Sequence, residues 1–534
     1  MKKEWLPLAA VPLVLLLFIA LSWLTGGLGF PLDDAWIHQT YARNLVRSGG
    51  WEFVPGVPSS GSTSPLWTLL LALGYGLNLP YRLWAYLLGG LSLFWLAWNG
   101  MALWRQVWPE RADMAWVAGL LLVGIWPLVW AAVSGMETLL FAALGMQLIV
   151  LYGNVAERPL GEQHVREQQA VISEQYSVIS RRSVVVMGVL AGLLILTRPD
   201  GVVLLLLLGV GLLLGRGEEE ERPFTLRLQT AVLWGVTALL LLLPYFALNY
   251  WLSGTAWPNT FYAKQEEYAV VLARPLWERV GSLLYLSLGG PPQGWQGMSS
   301  PHLLLLPGLL WAGWLALRSD WGQKRLWHTL PLLWAGGHVL LYAWRLPVTY
   351  QHGRYIMAAM PVWTLYGLAG SIALLLLFQS EIGTLLRRVA ALSFAAMMAI
   401  FILLGAQAYA ADVAFIEGEM VTVAHWLAEN TEPQALIASH DIGAIGYFAE
   451  RPLLDLAGLI TPEIIPLLSN EAALAHYVLA SDADYLVTAP GWPYSDVTGS
   501  EAATLVFSTG YEWTQLSGLN NMAVYKLQRM ERLP

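Results

Sequence analysis

The sequence predicts an α-helical polytopic membrane protein of about eleven transmembrane helices, with a small α/β domain at its C-terminal end. Three observations predict it. The 534 residues are 56% hydrophobic and only 12% charged, where a soluble globular chain carries roughly 25% charged residues. Apolar stretches of the length a bilayer demands, roughly 17–25 residues, recur through the first 410 residues. Charge also divides the chain in two: residues 411–534 hold 16 acidic and four basic side chains, leaving them at −12, and residues 1–410 stand at 25 − 21 = +4. Such a chain is neither disordered nor a coiled coil. With no cysteine it has no disulfide framework. Nothing in its charge points to nucleic acid.

The spans run Leu6–Gly26, Tyr81–Trp104, Met114–Val133, Thr138–Tyr152, Val184–Leu196, Val202–Leu214, Ala231–Tyr250, Leu303–Leu317, Leu326–Trp344, Tyr355–Phe378 and Val389–Ala410. The first follows Lys2 and Lys3 like a signal peptide, but it is long and no small-residue cleavage site follows, so it reads as a span. Lysine and arginine fix the orientation, because cytoplasmic loops collect them. With the N-terminus in the cytoplasm, 16 of the 25 basic residues of the membrane part fall on that side. That parity requires Pro65–Leu79 and Leu276–Leu288 to be short surface helices. The expected division is a membrane domain over residues 1–410, whose first outer loop is 27–80, and an acidic extracytoplasmic domain over 411–534. The chain is then a multi-pass protein of the plasma membrane with its C-terminal domain outside.

The outer loops carry the chemistry. Asp33 and Asp34 adjoin just beyond the first span, where limited hydration and like charge raise a carboxyl pKa and suit a base that takes a proton from a hydroxyl. The plainer alternative is that Asp33 caps the following helix and Asp34 sits at its positive end. Around them the words are Asp33-Asp34-Ala35-Trp36-Ile37, Tyr41-Ala42-Arg43-Asn44, Phe53-Val54-Pro55-Gly56 and Ser62-Thr63-Ser64-Pro65-Leu66-Trp67. Further on come Val133-Ser134-Gly135-Met136-Glu137-Thr138, Leu196-Thr197-Arg198-Pro199-Asp200-Gly201, Asp441-Ile442-Gly443-Ala444 and Asp455-Leu456-Ala457-Gly458.

In this order the pieces resemble the polytopic GT-C glycosyltransferases, most of all the bacterial arabinofuranosyltransferase and protein-mannosyltransferase-like branch. The resemblance covers most of the chain. It implies a transferase that takes a sugar from a polyprenyl-phosphate donor in the membrane and passes it, with inversion, to a hydroxyl of an envelope glycan, lipid or protein. It also implies that the acidic residue opening the first-loop motif is the base, a match that falls on Asp33, with Asp34 second.

Such chemistry needs cations on the departing phosphate. The outer candidates are Arg43, Arg198, Lys264, Arg345 and Arg354, and the first three have blander alternatives. Arg43 could touch lipid headgroups, Arg198 could pair with Asp200, and Lys264 could be solvated. His352 and Arg354, joined to aromatics before a span, invite a headgroup-phosphate role. Glu137, at the outer start of a span, is either a substrate-binding group or a carboxylate answering the helix dipole. Asp33, Asp34 and His38 are of the types that hold a divalent cation, but no spaced His/Glu cluster accompanies them, so no metal or other cofactor is assigned.

In the tail, Ala435–Ser439, Tyr485–Thr488 and Met522–Leu527 read as strands, and Val421–Asn430 and Asn470–Leu479 as helices. Asp441-Ile442-Gly443-Ala444-Ile445-Gly446 lacks the glycine-rich turn that cradles a pyrophosphate. The competing function is a transporter or flippase of lipid-linked glycans, which calls for charge in mid-span and internal symmetry. Here the carboxylates cluster at the outer boundary instead.

Overall fold

A computed structural model describes residues 3–156, 169–214, 224–291, 297–323 and 328–528. Lys2, Arg158, Arg166, Arg216, Arg222, Lys324 and Arg325 of the expected cytoplasmic side, and Arg529 and Arg532 of the tail, lie outside the described residues.

Helices stand at all eleven expected spans. In chain order they and the shorter helices are α1 (Leu6–Thr25), α2 (Asp34–Ser48), α3 (Pro65–Gly76), α4 (Tyr81–Val107), α5 (Ala115–Gly124), α6 (Trp126–Ala132) and α7 (Thr138–Ala156). There follow α8 (Gln169–Thr197), α9 (Val202–Leu214), α10 (Phe224–Ser253), α11 (Asn259–Glu267), α12 (Ala269–Leu272), α13 (Leu276–Ser287), α14 (Leu306–Gln323), α15 (Leu330–Arg345), α16 (Met360–Leu376) and α17 (Glu381–Ile416). Among the described residues, five helices are long and apolar enough to cross a membrane, or six if a bent pair counts as one. That pair is α5 and α6, which meet at 65° where a single straight span over Met114–Val133 was expected. Ile125 between them is extended, and Pro127 lacks an N–H while its ring opposes the carbonyl of the preceding turn. Helices α3 and α13 have twelve residues each. At about 1.5 Å per residue that is about 18 Å, short of the roughly 30 Å hydrocarbon core.

Residue 411 marks no break. Helix α17 runs through it, passes into a π turn at Glu417–Val421 and continues as α18 (Thr422–Asn430). The tail then forms a five-stranded mixed sheet with α19 (Glu471–Ala480). Its strands are β3 (Ile437–Ser439), β4 (Leu453–Asp455), β5 (Tyr485–Thr488), β6 (Ala503–Ser508) and β7 (Ala523–Leu527), in the order β4-β3-β5-β7-β6; β1 (Glu52–Val54) and β2 (Val57–Pro58) make a small hairpin in the first outer loop. β3 is parallel to both neighbours, with Ala438 level with Leu454 and Leu486. Buried on both faces, it needs the continuous apolar run that made it legible. β4 has only three residues, and the edge strand β6 exposes Leu505 and Val506 in succession, so neither carries a period-two pattern.

The sheet is held to the membrane part by a buried carboxylate. Glu419, in the π turn and wholly buried, accepts from Met522 N (2.7 Å), Thr509 Oγ1 (2.5 Å) and Asn521 Nδ2 (2.8 Å). A buried carboxylate is tolerable only when its lone pairs are used in this way.

Candidate active site

Helix α2 begins at Asp34 and is buried from Ala35 to Asn44. Its polar side chains therefore find partners in the surrounding loop. Asn44 Nδ2 donates to Phe53 O (2.8 Å), and Tyr41 OH pairs with Ser59 Oγ (2.7 Å). These bonds fold the loop that follows α2 back on it and present Asp34, one turn before His38, to a cavity of about 470 Å³.

Five separate segments bring charge to this cavity: Asp34 from α2, Glu137 from the turn before α7, Arg198 and Asp200 from the α8–α9 turn, Lys264 from α11, and Arg345 with Arg354 at either end of the loop after α15. Ile37, Trp257, Phe261, Leu341 and Trp344 supply apolar wall.

The charges form two groups. Arg198 is fully engaged: Nη1 donates to Glu137 Oε1 (2.8 Å), Nε to Asp200 Oδ1 (3.2 Å) and Nη2 to Tyr342 OH (2.5 Å). His38 Nε2 lies 3.6 Å from the other Glu137 oxygen. Burial, more than Glu137 offsets it, holds the His38 imidazole below its usual pKa. Arg354 is only partly engaged. It is 3% exposed, and Nη2 donates to Asp34 and to Tyr355 OH (2.9 Å), while Nε and Nη1 have no partner. A buried guanidinium with two idle nitrogens costs several kcal/mol unless something occupies them, on the order of 1–3 kcal/mol per lost hydrogen bond and more for charge. Burial works against the charge on Asp34, but Arg354, Lys264 and His38 overcome it and hold the carboxyl at about 2. Burial likewise opposes the Lys264 ammonium, yet Tyr350, Glu267 and Asp34 keep it above the ordinary lysine value.

Asp33 faces elsewhere. Its two carboxylate oxygens accept from Gly443 N (2.6 Å) and Ala444 N (2.8 Å), at the start of a short tail helix, and it makes no capping bond to α2. Burial first, and then Asp441, push its carboxyl up despite those two N–H groups. Of the candidate residues, the cavity gathers Asp34, Glu137, Arg198, Lys264, Arg345 and Arg354. Besides Asp33, two more are not part of it. Arg43 reaches the tail: Nη1 donates to Tyr447 O (2.5 Å), Nη2 to Gly446 O (3.3 Å), and the guanidinium lies 4.5 Å from the centre of the Tyr447 ring. His352 pairs with Asp412 (2.8 Å) in a different pocket, because Gln351 and His352 both take positive φ and turn the chain away from Arg354. No group of three or more His, Cys, Asp or Glu that could hold a metal ion exists among the described residues. Asp33 is committed to the tail and Asp34 to Arg354, so the Asp33–Asp34–His38 arrangement does not converge.

Sequence reasoning left out three groups that bear on the site. Glu267 accepts from Lys264 (2.9 Å) and lies 3.8 Å from His440, and Asp441 acts electrostatically on Asp33. The Asp441 motif was visible, but nothing local tied it to the first outer loop.

A family model described as a domain of unknown function (DUF8728) matches residues 407–527. No curated protein matches the chain in sequence. In fold the chain is similar to ArnT from Cupriavidus metallidurans bound to undecaprenyl phosphate, with a TM-score of 0.60 and 16% identity over 98% of each chain. It is also similar to the archaeal oligosaccharyltransferase AglB from Archaeoglobus fulgidus in complex with an inhibitory peptide and a dolichol-phosphate, with a TM-score of 0.61 and 13% identity over 100% of this chain and 75% of that one. The likeness to both is one of fold, and it extends over nearly the whole of this chain.

Proposed function

We propose that the chain is an integral membrane glycosyltransferase that moves a sugar from a polyprenyl-phosphate donor to a hydroxyl of an envelope glycan, lipid or protein, with inversion. The observation that carries this reading is Arg354, buried against Asp34 with two nitrogens unpartnered in a cavity that has apolar wall. A departing phosphate takes charge-assisted hydrogen bonds from such N–H groups, and a prenyl chain needs that wall. The two similar structures were solved with undecaprenyl phosphate and with a dolichol-phosphate bound, which supports the same donor class.

Asp34, rather than Asp33, is then the base. It is ionised, so it can accept the acceptor's proton as the new bond to the anomeric carbon forms. The bond from that carbon to the phosphate oxygen breaks, and the phosphate departs with the electron pair. Arg354 and Lys264 meet the charge that develops. A phosphate on Arg354 also competes with Asp34 for that guanidinium and adds like charge beside it. Both raise the proton affinity of Asp34 when the donor arrives. Glu137, held by Arg198 and close to His38, lies where the sugar would be oriented.

The same reading places all eleven helices across the plasma membrane, with the N-terminus cytoplasmic and residues 411–534 as an outer domain. Purified protein in lipid nanodiscs, given a radiolabelled polyprenyl-phosphate sugar, tests it. Asp34→Asn should lower turnover by roughly 10²–10⁴-fold, the usual weight of a general base, and Arg354→Gln should weaken donor binding. Near-normal turnover by Asp34→Asn would show that Asp34 is not the base.

A further inference from the structure

We propose that a second cavity, of about 320 Å³, binds a sugar ring of the acceptor. The inference rests on the transferase reading. The loop before α16 lines both cavities: Tyr350, Gln351 and His352 face the second, and Arg354 and Tyr355 the first. Pro31 and Asp34 divide in the same way, so the two spaces share a wall at the reacting end of the first cavity.

The second cavity is built for a neutral, hydroxyl-rich ligand. No Lys or Arg lines it among the described residues, so a phosphate finds no counter-charge there. Its histidine and its carboxylate are a closed pair, His352 Nε2 to Asp412 Oδ2 at 2.8 Å, and Asp412 also accepts from Trp130 Nε1 at 2.9 Å. Nε2 is taken up by the carboxylate, which leaves the Nδ1 edge of His352 for a ligand. Gln351 Oε1 is an acceptor, buried and without a partner. These two groups call for a ligand that both donates and accepts, which is what sugar hydroxyls do.

Trp126 forms the apolar side of the cavity, its ring 4.9 Å from that of His352, and its Nε1 is spent on Ser299 O at 2.8 Å. The indole is thereby fixed, and its carbon surface is what remains for a C–H face of a sugar. At this volume the pocket lies at the small end of ligand sites, roughly 300–1,000 Å³, and suits a ring rather than a lipid chain. The backbone also bears a cost here. Gln351 and His352 hold φ of +51° and +56°, a conformation unfavourable for residues with a Cβ, in succession. That turn is what points the two side chains into the second cavity.

The test uses full-length protein in nanodiscs and saturation-transfer NMR to a panel of methyl glycosides, pyranosides and furanosides of hexoses and pentoses. Gln351→Leu removes one polar group, and His352→Gln removes the imidazole while keeping a polar side chain. At least one glycoside should saturate with wild type and lose most of its signal, fivefold or more, in both variants. Binding of polyprenyl phosphate to the same preparations should stay within twofold, which also reports that the variants are folded. The inference is overturned if no glycoside binds, if glycoside binding is unchanged in both variants, or if polyprenyl-phosphate binding is what they lose. If glycoside binding falls as expected while wild type never consumes a polyprenyl-phosphate sugar, the saccharide site stands and the transferase reading fails.

Discussion

Ala444 donates its backbone N–H to Asp33 across 2.8 Å, although the two are 411 residues apart in the chain. Gly443 donates beside it at 2.6 Å, so one carboxylate of the first outer loop takes both free N–H groups at the start of a tail helix. Asp33→Asn keeps one acceptor oxygen but sets an amide N–H₂ against a backbone N–H. The expected cost is about 1–3 kcal/mol, that of leaving a buried donor unmet. Hydrogen exchange over residues 441–449 should quicken, and transfer activity should fall less than in Asp34→Asn. Unchanged exchange in that segment would refute the tether.

Gly443 is pressed against the same aspartate. A Cβ built there would lie 2.1 Å from the Asp33 carbonyl oxygen and 2.7 Å from its carboxylate. Both neighbours are fixed, so Gly443→Ala must part the loop from the tail. The expectation is a lower melting temperature than Asp33→Asn gives, together with the same local rise in exchange. A melting temperature equal to wild type would mean the contact is softer than the geometry implies.

The Glu137–Arg198–Asp200 cluster is buried, with side chains 2%, 10% and 8% exposed. Removing one partner strands charge in a poor solvent, so Glu137→Gln or Arg198→Met alone should cost about 3–5 kcal/mol. The double substitution should cost less than the sum of the two. Thermal unfolding of the four proteins closes the cycle, and strict additivity would show that the pair is not coupled.

Two windows of pH dependence follow from the site. Asp34 and Glu267 are both held at about 2, below their ordinary carboxyl values, against burial: Asp34 by Arg354 and Lys264, Glu267 by His440 and Lys264. A depressed carboxyl lends stability that is full above the unfolded value, about 4, and is lost as the pH falls toward 2. His440 runs the other way. Burial disfavours its cation, but Glu267 and Asp441 raise it overall, so its contribution is full below about 6.5 and is lost as the pH rises through the raised value. Melting curves across the pH range should bend at both ends. His440→Gln should remove the upper bend and weaken the lower one, and Glu267→Gln should flatten both. A wild-type curve without the upper bend would mean that the pair does not form.

Much of the fold was legible because membrane helices and a buried parallel strand advertise themselves by apolar runs. The Asp33–Asp34 pair and Arg354 were legible as charges beside spans. What could not be read was pairing. Arg354 meets Asp34 across 320 residues, and Arg43 meets the carbonyls of Gly446 and Tyr447, which no charge count reveals. His352 was grouped with Arg354 because they are two residues apart. Positive φ at three successive residues, Gln351, His352 and Gly353, separates them, and of these only Gly353 is of a type that signals such a turn. The break at Ile125 had its signal in Pro127, but a run apolar from end to end hid it.

The helix that links membrane and tail is continuous from Glu381 to Asn430, 50 residues. At about 1.5 Å and 100° per residue, it fixes both the height and the azimuth of the sheet it carries. One alanine inserted near residue 411 would swing the sheet by a quarter-turn and more, taking Ala444 away from Asp33. Seven would restore its facing but lift it by about 10 Å. Insertions and deletions are thus barred from this stretch by phase as well as by length.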